Sequence, residues 1–154
     1  MKILEIQEVD LASFCYLNKD RYPFLLESVN HNDNNRYSIL FAFPGESIVL
    51  QNFSDFDFLS ELERQFKSSN LITDLPFSGG WFVYLSYELI GQIEPILSKE
   101  ICSSELPIAY AVEIPSAIII DHQSNTTYLI DQDGDQNRID AMLKDIGLIK
   151  PIPE

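Results

Sequence analysis

The sequence contains few positive charges and no long apolar run. Ten lysines and arginines stand against 24 aspartates and glutamates, so the 154-residue chain carries a formal net charge of −14. A surface this acidic repels phosphate backbones and anionic lipids. No stretch approaches the ~18 to 20 apolar residues that a membrane helix needs. We therefore expect neither nucleic acid nor a membrane as a partner.

Cysteine is also scarce. Cys15 and Cys102 lie far apart and lack metal-ligand spacing, so reduced thiols in a reducing compartment are expected. The start, Met1-Lys2-Ile3-Leu4-Glu5, reaches an acid too early for a secretory signal. These features predict a cytoplasmic protein without a metal site.

Common catalytic motifs are missing. Ser78-Gly79-Gly80 is not a G-x-S-x-G elbow, and neither GxxxxGK[ST] nor GxGxxG occurs. The two histidines, His31 and His122, lie away from any cysteine, and His122 is expected to be a solvent-facing turn residue. We predict no catalytic residue in this chain.

An acidic segment, Asp131-Gln132-Asp133-Gly134-Asp135, has the carboxylate spacing of a calcium loop. An EF-hand needs glycine at the sixth position and glutamate at the twelfth, where this sequence has Gln136 and Met142. The pattern favours an acidic turn between a strand and a helix.

Short apolar strands joined by turns dominate the chain, and no strand-helix-strand alternation recurs. The sequence predicts an α+β fold of largely antiparallel β-sheets with three or four packed helices. Asp10 is expected to cap the first helix, and Ser54 or Asp55 the second. The expected strands are 2–9, 24–29, 37–43, 47–52, 108–114, 116–121 and 126–130, and the last helix is 136–146.

The central stretch runs from Pro76 to Leu89. Its aromatic and apolar residues predict a buried central strand, and Gly79 and Gly80 at its entry predict a close backbone approach. A short helical turn should follow and end at Gly91.

One group of polar residues could bind a small zwitterion. A carboxylate at a strand end can hold an ammonium, an arginine can hold a carboxylate, and apolar neighbours can take a side chain. Taken alone, these residues favour a strand edge joined by side-chain hydrogen bonds over a binding site. They are Leu26, Glu27, Ser28, Arg36, Tyr37 and Ser38.

The central stretch resembles a family signature in Phe77-Ser78-Gly79-Gly80, Tyr84, Ser86-Tyr87-Glu88-Leu89 and Glu94. The family is the chorismate-utilising synthases, component I of anthranilate synthase and of aminodeoxychorismate (para-aminobenzoate) synthase, in their amino-terminal region. Other segments match in the same order: Leu25-Leu26-Glu27-Ser28, Arg36-Tyr37-Ser38-Ile39, Leu106-Pro107 and Ile118-Ile119-Ile120-Asp121-His122.

The resemblance implies a tryptophan pocket lined by Leu26, Glu27, Ser28, Arg36, Tyr37 and Ser38. In anthranilate synthases this pocket gives feedback inhibition, and in related aminodeoxychorismate synthases it can hold tryptophan as a structural ligand. For this chain the resemblance therefore favours the binding site over the joined strand edge.

The resemblance also implies a larger parent enzyme. In the family, chorismate and Mg²⁺ bind in a carboxyl-terminal catalytic domain that these residues do not include, and a glutamine amidotransferase component II supplies ammonia. We expect a non-catalytic domain over residues 1–148 and a linker-like tail over 149–154. Apolar surface meant for the catalytic domain should make the isolated chain self-associate.

Two branches of the family remain open, together with a third alternative. The short span from Leu25 to Gly80 resembles aminodeoxychorismate synthase, which aminates chorismate for folate biosynthesis. The intact Leu25-Leu26-Glu27-Ser28 segment resembles tryptophan-regulated anthranilate synthase. We expect the former, with the latter as the alternative, and a freestanding aromatic-amino-acid-binding module as the second alternative.

Overall fold

The computed structural model describes residues 1–28, 36–66, 73–94, 96–97 and 106–149. They form two compact units, the first drawn from within 1–45, 71–80 and 114–154 and the second from within 46–70 and 81–113. The elements in chain order are β1 (Lys2–Ile6), α1 (Leu11–Leu17), β2 (Phe24–Leu26), β3 (Tyr37–Ala42), β4 (Ser47–Leu50), α2 (Phe58–Gln65), β5 (Gly80–Leu85), a 3-10 turn (Tyr87–Leu89), α3 (Ile90–Ile93), β6 (Ala109–Ile114), β7 (Ser116–Asp121), β8 (Thr126–Asp131) and α4 (Gln136–Ile146).

The first unit contains a five-stranded antiparallel sheet in the order β1-β8-β7-β3-β2. Successive side chains of a strand point to opposite faces, so each strand contributes to two clusters. One side, the helix face, places Leu25, Leu40, Ile118 and Leu129 against Leu11, Phe14, Ile139 and Met142 of α1 and α4. The other side, the far face, carries Tyr37, Ile39, Ile119 and Ile130 beside Leu75 and Phe77.

The second unit contains a three-stranded sheet in the order β4-β6-β5. Alternating residues Ile48 and Leu50 of β4 pack with Phe58 of α2. Sheets covered by helices in both units confirm the predicted α+β class. In the described part of the chain no helix is long and apolar enough to span a membrane.

Helix starts follow the capping aspartates. Asp10 accepts a hydrogen bond from Ala12 N at 3.1 Å, as predicted, and Asp135 caps the predicted helix α4. The prediction for α2 was wrong, because Asp57 is the cap and accepts from Ser60 N at 2.7 Å. Asp55 instead accepts from the backbone N–H of Asn52 at 3.1 Å and closes the preceding turn.

The acidic segment that begins at the last residue of β8 forms the predicted turn. Asp131 is fully buried, and its carboxylate accepts the Ser116 hydroxyl at 2.7 Å, two backbone N–H groups of the turn, and Arg138 Nε at 2.7 Å. Asp131 therefore stabilises the turn through these hydrogen bonds.

The prediction that β5 is a buried central strand was wrong. Among the described strands β5 lies at the edge of its sheet, and Val83, Tyr84 and Leu85 are exposed. Because successive side chains of a strand point to opposite faces, three consecutive exposed residues mean that β5 is exposed on both faces at this end. The apolar composition signalled a strand correctly but not its position in the sheet.

The glycines around β5 behave differently from one another. Gly79 has φ +106°, and a Cβ there would lie 2.0 Å from Gln132 Oε1, so the predicted close approach exists but involves a side chain. The predicted stop at Gly91 was wrong, because α3 continues through it to Ile93. Gln92 of this helix accepts from Phe58 N and donates to Phe56 O, which ties α3 to the start of α2.

Candidate functional site

The six predicted site residues lie around one corner of the five-stranded sheet. Here β2 ends, β3 begins and β7 ends, because Leu26 pairs with Ile39 and Tyr37 pairs with Asp121. The antiparallel register therefore brings the segments 26–28 and 36–38 together. We call this group, with Asp121 and His122, the sheet corner.

Ser28 and Ser38 join the two segments. The Ser28 backbone N–H donates to Ser38 Oγ at 3.1 Å, and the Ser28 hydroxyl donates to the Tyr37 carbonyl at 2.9 Å. Ser38 is 2% exposed, so its hydroxyl needs partners inside the protein. The side-chain bonds continue the β2–β3 pairing for two residues beyond the end of β2.

Arg36 is held by three neighbours. Its Nε and one terminal nitrogen donate to the two Asp121 oxygens at 2.8 and 2.6 Å, and its guanidinium carbon lies 4.8 Å from the Tyr37 ring centre. Its carbonyl accepts from the His122 backbone N–H at 2.9 Å. The Arg36 hydrogen bond lowers the pKa of Asp121, and the same bond raises the pKa of Arg36.

The residues of the corner divide between the two faces of the sheet. Tyr37 and Ile39 belong to the far face, and Leu26 lies directly opposite Ile39, so Leu26 shares that face. Ser38 alternates with Tyr37 and lies on the helix face with Leu40. A ligand that contacts members of both groups must therefore sit over the end of the strands.

Leu26, Glu27 and Arg36 are the exposed residues among the six predicted ones. Leu26 is 52% exposed and Glu27 is exposed too. No hydrogen bond or ion pair of Glu27 is found within the described residues, whereas Arg36, Ser28 and Ser38 are all bonded. The corner thus offers a solvent-facing carboxylate beside an apolar side chain.

Two residues of the sheet corner, Asp121 and His122, were not predicted from the sequence to be site residues. Asp121 binds Arg36, and His122 Nε2 lies 2.8 Å from Ser38 Oγ. His122 does lie in the predicted turn, but it is half-buried and its ring points to Ser38, so the solvent-facing assignment was wrong. The available signal was the position of this pair at the end of a buried isoleucine run.

The second unit contains an apolar cavity. About 430 Å³ lie between α2 and β5, lined by Leu59, Leu62, Glu63, Phe66, Trp81 and Val83. The cavity is almost wholly apolar, and none of the predicted site residues lines it.

No protein-family model matches this sequence. Anthranilate synthase component 1 of Acinetobacter calcoaceticus is 31% identical over 148 residues, covering 80% of this chain. The enzyme of the same name from Lactococcus lactis is 26% identical over 139 residues, covering 82%. The chain spans only 29% and 30% of the lengths of these two relatives.

A solved structure shares the fold. Anthranilate synthase component I from Streptococcus pneumoniae aligns over 99% of this chain and 38% of its own, with a TM-score of 0.62 and 22% sequence identity. The class is therefore an α+β domain of the kind found within that enzyme. Together with the sequence matches, this supports a relationship between the chain and the component I family of chorismate-utilising synthases.

Proposed function

We propose that this chain is the non-catalytic, amino-terminal domain of a chorismate-utilising synthase component I and that its sheet corner binds an aromatic amino acid. The observation that carries the proposal is the hydrogen bonding of Ser28 to Ser38 and Tyr37. These bonds bring the two segments that resemble the family's tryptophan pocket side by side at one end of the sheet.

Each part of the corner suits one part of an amino acid. Glu27 is exposed and supplies a carboxylate for the ligand ammonium. Arg36 supplies donors for the ligand carboxylate. Leu26 and the Tyr37 ring offer apolar surface for an aromatic side chain. Any aromatic amino acid combines all three groups, and the resemblance to the family's tryptophan pocket favours L-tryptophan among them.

The branch of the family is a separate part of the proposal. The curated relatives are named anthranilate synthase component 1, which favours the anthranilate branch and tryptophan biosynthesis. The short span from Leu25 to Gly80 favours aminodeoxychorismate synthase and folate biosynthesis. In either case the parent protein would act in the cytoplasm with a Mg²⁺-dependent catalytic domain and a glutamine amidotransferase component II.

Product analysis separates the branches. The full parent protein, supplied with chorismate, Mg²⁺ and ammonia, releases anthranilate if it belongs to the first branch and aminodeoxychorismate if it belongs to the second. Formation of neither product would favour the second alternative, a freestanding amino-acid-binding module.

Calorimetric titration with L-tryptophan tests the binding proposal. We expect saturable binding to the 154-residue chain and a loss of about tenfold in affinity for Glu27→Ala, since the charge-assisted hydrogen bond to the ammonium is removed. Glu5→Ala is the matched control, because Glu5 is an exposed glutamate on β1 at the other edge of the same sheet. Equal effects of the two substitutions would contradict the proposed site.

A further inference from the structure

The guanidinium of Arg36 is only partly used by the protein. A guanidinium carries five N–H donors in a planar fork, which can be approached from its Nε side or from its two terminal nitrogens. Asp121 takes the Nε side, because its two oxygens accept from Nε and from one terminal nitrogen. The donors at the outer end of the fork have no hydrogen bond to another group in the described part of the chain.

Arg36 is partly exposed, whereas the Asp121 side chain that fixes its position is buried. The Asp121 side chain is 4% exposed and also accepts from Gln123 N at 3.0 Å, so its carboxylate is anchored in the protein. The Arg36 side chain is 43% exposed and lies over the Tyr37 ring. An anchored carboxylate thus holds one side of the guanidinium of a partly exposed side chain.

We infer that Asp121 is a positioning residue for ligand binding, which aims the outer donors of Arg36 at the carboxylate of the amino acid. This inference rests on the proposed function and assigns the recognition of the ligand carboxylate to the Arg36–Asp121 pair. Asp121 itself does not touch the ligand. Its role is to fix the direction of the fork, so that binding a ligand carboxylate orders no further flexible side chain.

Lysine cannot replace arginine in this arrangement. An ammonium is a point charge without a planar fork, so a lysine that pairs with Asp121 has no second pair of donors in a fixed direction. The inference therefore predicts a loss of affinity on Arg36→Lys even though the charge is kept.

The test compares L-tryptophan with tryptamine, which keeps the indole and the ammonium but lacks the carboxylate. In Arg36→Lys we expect tryptophan affinity to fall about tenfold and tryptamine affinity to stay within about twofold. Asp121→Asn should also reduce the preference for tryptophan over tryptamine, because it leaves Arg36 without its bidentate partner. Calorimetry supplies both dissociation constants, and the melting temperature of each variant confirms that it is folded.

The chain offers a matched control. Arg21 also pairs with a carboxylate, that of Asp145, and also lies over an aromatic ring, 5.1 Å from the centre of Phe43, but it is not part of the sheet corner. Arg21→Lys should leave the ratio of the two dissociation constants unchanged.

The outcomes separate the inference from the proposed function. Suppose that the wild-type protein binds tryptophan, and that Arg36→Lys lowers the affinity for tryptophan and tryptamine equally or changes neither affinity. The binding site then stands, and the positioning role of Asp121 is overturned. If Asp121→Asn weakens both ligands equally, Asp121 has only a structural role and the inference is again overturned. If the wild-type chain does not bind tryptophan, both proposals fail together.

Discussion

Tyr22 and Asp145 lie 123 residues apart in the sequence, and the Tyr22 hydroxyl donates a hydrogen bond of 2.8 Å to Asp145 Oδ2. Tyr22 is fully buried, and the Phe14 ring packs edge-on against it at a centroid distance of 5.1 Å. Arg21, the preceding residue, forms an ion pair with the same carboxylate. This contact joins the segment after α1 to the end of α4.

Tyr22→Phe should lower the free energy of unfolding by about 1 to 2 kcal/mol, because the buried Asp145 carboxylate loses one donor but keeps Arg21. Urea denaturation monitored by circular dichroism measures the change. Tyr16→Phe is the matched control, since the Tyr16 side chain is 85% exposed. A loss of similar size in both variants would argue against a stabilising role for the buried hydroxyl.

Gly79→Ala should destabilise the fold by roughly 1 to 3 kcal/mol, because an alanine is strained at positive φ and its Cβ would collide with Gln132. The same denaturation measurement applies. Gly147→Ala is the control, since Gly147 has a helical φ of −65° and its added Cβ would meet nothing nearer than 3.4 Å. Equal stability of wild type and Gly79→Ala would contradict the close approach.

The sequence predicted contacts between residues close together in the chain better than contacts between residues far apart in it. The Asp10 cap, the last helix and the acidic turn were predicted correctly because each involves residues within a few positions of one another. The second cap failed because two nearby aspartates compete, and the backbone decides that Asp55 closes a turn while Asp57 caps the helix.

The candidate site divides in the same way. Residues 26–28 and 36–38 were grouped from the sequence, and the β2–β3 pairing brings them together. Asp121 was not assigned to the group, because its contact with Arg36 spans 85 residues and depends on β7 lying beside β3. The order of the strands within a sheet could not be predicted from the sequence either. For that reason the apolar edge strand β5 was predicted to be a central strand.

Acid should weaken the protein partly through Asp121. Its pKa is lower in the folded state than the unfolded value of about 3.9, chiefly because of the Arg36 hydrogen bond. A lowered pKa gives stability that is present above about pH 4 and is lost as the pH falls through the folded value. We expect Asp121→Asn to flatten the fall of unfolding free energy below pH 4.

Denaturation curves measured at a series of pH values between about 5 and 2 provide this comparison. Asp20→Asn is the control, because Asp20 is an exposed aspartate outside the sheet corner. A variant curve for Asp121→Asn parallel to the wild-type curve would contradict the assignment.

The second unit exposes apolar side chains beside its cavity. Leu59 and Phe66 of the α2 segment and Val83 and Leu85 of β5 are each at least 40% exposed. Because such surface favours association, we expect the 154-residue chain to self-associate at high concentration and Val83→Lys to weaken that association. Sedimentation velocity is the measurement, with Ser47→Lys on the exposed side of β4 as the control. A wild-type chain that stays strictly monomeric would contradict this expectation.

The most direct test of the account is a map of amide chemical shifts as L-tryptophan is added to the isotopically labelled chain. We predict saturable shifts at the sheet corner, in residues 26–28, 36–38 and 121–122, and none along β1 at the opposite edge of the sheet. Shifts confined to the cavity between α2 and β5, or no saturable shift at all, would contradict the central claim that the corner is an amino-acid site.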